Sequence, residues 1–201
     1  MKKNTYIIIF GLAAWVLLVG LGWSLLSRYE NTPGHSAITP EGWPSNTQIL
    51  KTPGFPTLVM FVHPHCPCTR ASIGELNAIM ASCGKHVNAS LLFIKPSEFN
   101  DAWVKSDLWK KASRIPGVVA IQDSEGKEAK IFHATTSGQV LLYDRSGRLV
   151  FNGGITGSRG HSGNNVGRQS VTSFLLKGSS GKRQTFVYGC SLFTAECKFS
   201  T

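Results

Sequence analysis

Apolar and polar positions change their rhythm several times along this chain. Tyr6 to Leu26 (YIIIFGLAAWVLLVGLGWSLL) is apolar and carries no charge. At about 1.5 Å per residue, a helix of that length spans about 30 Å, the thickness of a bilayer's hydrocarbon core. From Phe55 onward the runs are shorter. Thr57–Val62 (TLVMFV) is apolar throughout, as suits a strand buried on both faces. Ile73, Leu76, Ile79 and Met80 recur at helical spacing and predict a helix over 69–82, with Ser72 and Glu75 resembling a capping box. A second strand is expected over 87–94, ended by Pro96, then a helix over 100–112 with Trp103, Leu108 and Trp109 on its apolar side. A short strand follows over 117–121. Segments 139–143 and 148–151 flank Asp144-Arg145-Ser146-Gly147, a hairpin signal, and 165–176 closes as a helix. The order β-α-β-α-β-β-β-α predicts an α/β fold whose sheet is mixed and flanked by helices.

The region between the long apolar run and the first strand has a different composition. Residues 28–55 hold Pro33, Pro40, Pro44 and Pro53 among Gly, Ser, Thr and Asn, a stiff linker composition. The expected organisation is a cytoplasmic tip and transmembrane anchor over 1–27, a Pro-rich linker over 28–55 and one domain over 56–201. Lys2 and Lys3 precede the apolar run, whereas Arg28 and Glu30 cancel after it. The positive-inside rule then puts the N-terminus in the cytoplasm and the domain on the extracytoplasmic, periplasmic side of a single-pass cytoplasmic-membrane protein. A cleaved signal peptide would have a shorter apolar region and an A-x-A-like site, so residues 6–26 are expected to stay in the lipid bilayer.

Charge changes this picture little. The formal net charge is +10, a balance that can mark nucleic-acid binding. The basic residues are scattered, however, with pairs at Lys110-Lys111 and Lys182-Arg183 as the longest clusters. No basic stretch interleaved with stacking aromatics is present, so no nucleic-acid partner is expected.

Chemistry concentrates at His63-Pro64-His65-Cys66-Pro67-Cys68, between the first strand and the first helix. Pro67 suits a first helical turn, because its missing N–H has no partner there in any case. Cys66 then falls near the N-cap and Cys68 within the first turn, where unpaired N–H groups and the positive helix end favour a thiolate. His63 and His65, when charged, push the same way. Cys66 is the expected attacking thiol, Cys68 or Cys190 the resolving one, and His65 a group that tunes the thiolate. A Cys66–Cys68 disulfide closes a small ring and would be easily reduced. The partner would be a redox protein or thiol substrate, with no cofactor required.

A metal site is the competing reading. His63, His65, Cys66 and Cys68 offer ligands suited to copper or zinc, and His161 and Cys190 are the candidates to complete the set. A third reading is a non-catalytic binding module, with the motif cysteines packed and Cys190–Cys197 a structural disulfide. Cys83, at a helix end, is expected to be buried. The glycine-rich stretch GGITGSRGHSGNNVG (153–167) lacks a phosphate-loop pattern. It is a turn-rich loop from which Arg159 and His161 could reach the cysteines. His86 and His133 are expected at the surface or at strand ends.

Strand, short loop, Cys before Pro-Cys at a helix start, then β-α-β-β-α resembles the thioredoxin superfamily. YDRSGRLV (143–150) is similar to the hairpin of its membrane-anchored, TlpA-like members. FVHPHCPCTRASIGEL, with TSGQVLLYD, GGITGSRGH and the late Gly189-Cys190, resembles the bacterial RedB-like proteins over about residues 56–192. The resemblance implies a thioredoxin-like fold and a redox role. It also exposes two departures. The family's active site is C-x-x-C, and aligning Pro67-Cys68 with its Pro-Cys places His65 at the nucleophile position. The family's cis-proline position corresponds to Gly138 in Thr136-Ser137-Gly138.

Overall fold

A computed structural model describes residues 2–35, 37–179 and 181–193. It divides into two units, 1–32 and 33–201. The first is one helix, α1 (Lys2–Asn31). Within it, Asn4–Asn31 has a mean hydropathy of 2.2 in its most apolar window and no buried residue there, so it is long and apolar enough to cross a membrane.

The second unit is built on five strands: β1 (Thr57–Val62), β2 (Asn88–Lys95), β3 (Val118–Ser124), β4 (Val140–Tyr143) and β5 (Leu149–Gly153). Their order across the sheet is β3-β2-β1-β4-β5. β1, β2 and β3 run parallel, and β4 and β5 continue antiparallel. The helices are α2 (Thr69–Cys83), the short α3 (Asp101–Val104) and α4 (Asp107–Ala112), α5 (Lys127–Ile131) and α6 (Val166–Lys177). Parallel crossovers leading into an antiparallel hairpin and a closing helix make this the expected thioredoxin-like α/β fold.

Side chains alternate along the central strand and feed two cores. Leu58, Met60 and Val62 face one side, where Leu76, Ile79 and Met80 of α2 and Val171 of α6 pack over them. Val59 and Phe61 face the other side, with Phe132, Leu141 and Tyr143. A sheet face this apolar must be covered. Among the described residues the short α5 is the helix on the second side, and residues 33–55 together with Leu192 add to the cover. Trp43 meets Phe132 and Tyr143 edge-on, Ile49 is buried, and the Tyr143 hydroxyl donates to the Pro40 carbonyl. The backbone N–H of Trp43 donates to Gly147 O, and that of Leu149 to Glu41 O. Of the stretch expected as a linker over 28–55, residues 28–31 are therefore the end of α1, and from Pro33 onward the described residues form part of the domain without a helix or strand of their own.

Three further expectations change. The helix expected over 100–112 is two helices, because Asn100 and Ser106 each cap a new start, accepting from the N–H of Trp103 and Trp109. Helix α5 has no counterpart in the sequence pattern. Asp123 organises it by accepting from the N–H groups of Glu128 and Ala129. Ser72 and Glu75 do not form a capping box. The residue at the N-cap of α2 is Cys68, which makes no side-chain cap bond. Glu75 instead lies buried one turn further on, where it pairs with Arg168 at 2.7 Å and accepts from Gly163 N–H.

Candidate functional site

The motif leaves β1 and enters α2 through a run of tight turns. Cys66 N–H donates to His63 O, Thr69 N–H to Cys66 O, Arg70 N–H to Pro67 O and Ala71 N–H to Cys68 O. The helix proper starts at Thr69, one residue after the second cysteine. Cys66 thus stands two residues ahead of the N-cap and Cys68 at the N-cap itself, both earlier than the sequence spacing implies.

Two segments distant in sequence close over this turn. The Thr136-Ser137-Gly138 segment enters β4, and residues 189–192 lie against it. Ser137 N–H donates to Cys190 O, Leu192 N–H donates to Thr135 O, and Thr136 and Ser191 form an isolated bridge. Ser137 Oγ also accepts from the N–H of His63 at 2.8 Å and shares a 2.7 Å bond with Thr69 Oγ1. One hydroxyl therefore joins the start of the motif, the start of α2 and, through its own backbone, the C-terminal segment. Gly138 has φ +90, and its N–H donates to Phe61 O. A Cβ there would also crowd Ser72 Oγ at 2.9 Å, so both backbone and space favour glycine. Gly189 is needed for a different reason. A Cβ on it would overlap the Ser137 carbonyl.

The outcome is a cluster of three cysteines. Cys66 Sγ accepts from Cys190 N–H at 3.4 Å. The Cys190 thiol is the largest influence holding the Cys66 pKa far below its ordinary value, followed by the Cys68 thiol and then Thr69. Burial opposes this but does not win, because several donors converge on one sulfur. Cys68 moves the opposite way. It donates to Cys66, is partly desolvated and sits beside the Cys66 charge, all of which push its pKa up, while Arg159 offsets part of this. Arg159 is held in place by its bond to Gly189 O at 2.8 Å. Cys66 is completely buried and Cys68 nearly so, at 0% and 6% exposure, whereas Cys190 is half-buried. Cys66, Cys68 and Cys83 are thiols; Cys83 packs in the core, where burial raises its pKa.

The histidines are arranged differently. The His65 ring lies 4.8 Å from that of Trp103, and its Nε2 is 3.0 Å from the Trp103 carbonyl, so the side chain turns to α3. His63 is half-buried. Burial lowers its pKa, the Cys66 charge partly restores it, and His65 lowers it further. The groups that most stabilise the Cys66 thiolate are thus the other cysteines and Thr69. The His161 ring is exposed and bonds to the Arg159 carbonyl at 2.9 Å. Among the described residues no group of three His, Cys, Asp or Glu side chains is placed to hold a metal ion. The expected ligand set of His63, His65, Cys66, Cys68, His161 and Cys190 is therefore not gathered into one coordination sphere. Cys197 lies outside the described residues. His133 bonds to Ile38 O at 2.6 Å and so helps fix the 33–55 segment.

Ser137, Thr69 and Gly189 carry the site's geometry without having been singled out by spacing. Their one sequence signal is position. Thr69 follows the motif directly, Ser137 precedes Gly138 at the entry to β4, and Gly189 precedes Cys190.

No protein-family model matches the chain, and no curated protein matches it. Among solved structures, a hypothetical protein from Sinorhizobium meliloti 1021 is similar at 21% identity and a TM-score of 0.60, over 82% of this chain and 100% of that one. An uncharacterized conserved protein from Geobacillus kaustophilus is similar at 20% identity and a TM-score of 0.56, over 81% and 93%. A thioredoxin-like protein in its oxidized form aligns at 14% identity and a TM-score of 0.47, over 76% and 99%. The first two likenesses show a shared fold.

Proposed function

We propose that this protein is a thiol–disulfide oxidoreductase anchored to the cytoplasmic membrane by residues 6–26, with its domain on the extracytoplasmic side. The observation that carries the reading is the convergence of the Cys190 thiol, the Cys190 N–H and the Cys68 thiol on Cys66. A thiolate is the form that attacks disulfides, and a second thiol beside it can complete the exchange. Cys66 is the redox centre, with Cys68 or Cys190 as its partner. The substrate is a protein or small-molecule disulfide, or a thiol in the reverse direction.

Titration of free thiols with and without reductant tests this. The wild-type protein is expected to cycle reversibly between two states that differ by one disulfide, and Cys66→Ser is expected to lose the cycle. A purified protein without such a couple, carrying stoichiometric copper or zinc that Cys66→Ser loses, overturns the proposal. The anchor is tested by lysis without detergent, where recovery of the intact protein in the soluble fraction contradicts it.

A further inference from the structure

The Cys66 pKa is lowered, yet Cys66 has no exposed surface, and Cys68 has almost none. Attack on a substrate disulfide requires an in-line approach of three sulfurs, so the attacking sulfur must be reachable from solvent. Of the three cysteines gathered here, the half-buried one is Cys190. It lies on a segment without helix or strand that covers Cys66, with its backbone N–H 3.4 Å from the Cys66 sulfur and its carbonyl held by Ser137. We propose that Cys190 is the thiol that meets the substrate disulfide, and that buried Cys66 is the internal thiolate that resolves the mixed disulfide Cys190 forms. This rests on the thiol–disulfide reading above and reverses the order of attack expected from the motif.

The steps balance. The Cys190 thiol releases its proton to solvent as its sulfur attacks the substrate disulfide. A Cys190–substrate disulfide forms and the first substrate thiolate leaves, taking a proton from solvent. Cys66, a thiolate throughout, attacks the Cys190 sulfur. The Cys66–Cys190 disulfide forms and the second substrate thiolate leaves, taking a proton from solvent. The substrate disulfide has gained two electrons and the cysteine pair has lost two. Cys68 does not change redox state. It donates a hydrogen bond to Cys66 and acts as a positioning residue.

The test uses the full chain in detergent with oxidised glutathione as the probe, read by peptide mapping and mass spectrometry. In Cys66→Ser, a glutathione adduct is expected to accumulate on Cys190. In Cys190→Ser, adduct formation at Cys66 is expected to be lost on the timescale over which wild-type protein oxidises. Oxidised wild-type protein, which needs no substitution, is expected to contain a Cys66–Cys190 link. A Cys66–Cys68 or Cys190–Cys197 link in its place overturns the proposal. So does an adduct on Cys66 in Cys190→Ser that forms as fast as wild-type oxidation. Oxidation through Cys66–Cys68 leaves the oxidoreductase reading standing and removes only this inference. Absence of any internal disulfide in the wild type removes both.

Discussion

The two stretches that meet at Cys66 are held in opposite ways. Residues 63–69 are fixed mainly from within, by successive turn bonds between a buried strand and a core helix. Residues 189–192 belong to no helix or strand and are fixed from outside, by two backbone hydrogen bonds to residues 135–137 that frame the Thr136–Ser191 bridge and by the absence of a side chain at Gly189. The first arrangement gives a rigid platform for a sulfur. The second gives a cover whose place depends on a few backbone bonds, and such segments open at lower cost than core elements. A redox site needs both properties, since one sulfur must stay put while its partner makes and breaks bonds.

The difference can be attacked at its weakest point first. Gly189→Ala forces a Cβ into the Ser137 carbonyl, and a clash with backbone has no flexible side chain to absorb it. A loss of about 2–3 kcal/mol is expected, within the range for overpacked sites. Thermal unfolding reads that loss, and the ultraviolet absorbance of the Cys66 thiolate should fall with it at neutral pH. Ser137→Ala spares the shape of both stretches but leaves His63 N–H without its acceptor. Chemical denaturation should show a cost of about 1–3 kcal/mol, the range for an unsatisfied buried donor.

Milder changes sharpen the comparison. Because the Cys66 pKa is lowered, its thiolate absorbance should persist as pH falls through neutrality, where an ordinary thiol with a pKa of about 8.5 is protonated. Cys190→Ala removes the largest stabilising hydrogen bond, so the midpoint of that absorbance should move to higher pH. Cys68→Ala should move it in the same direction by less. A larger shift from Cys68→Ala would mean the platform, not the cover, sets the charge. The smallest effect is expected from His65→Ala, whose ring packs on Trp103. A midpoint displaced as far as in Cys190→Ala would restore His65 as the tuning group.

Legibility followed the same division. β1, α2, β2, the hairpin and α6 announced themselves through periodicity, because each buries a regular face in one of the two cores. The motif's place between β1 and α2 followed from its neighbours in sequence. What stayed hidden depends on contacts between distant residues. Pro-rich residues 28–55 read as a linker because their composition is extended, and nothing local reveals that Trp43 and Ile49 cover a sheet face left partly bare by the short α5. The split of 100–112 turned on two single-residue caps, Asn100 and Ser106. Glu75 looked like a local cap because its spacing fits one, although its partner Arg168 lies on α6. Cys190 was nameable as a candidate, but its contact with Cys66 runs through Ser137 and Gly189, which carry no periodic signal.

The central claim is that Cys66 is one half of a reversible dithiol–disulfide couple. Equilibration of the full chain in detergent against glutathione redox buffers, with reduced Cys66 quantified after acid quenching and alkylation, tests it most directly. A single reversible two-electron transition, absent in Cys66→Ser, is the predicted result. Cys66 that stays reduced across the whole series, or whose oxidation is not reversed by reduced glutathione, would contradict the account.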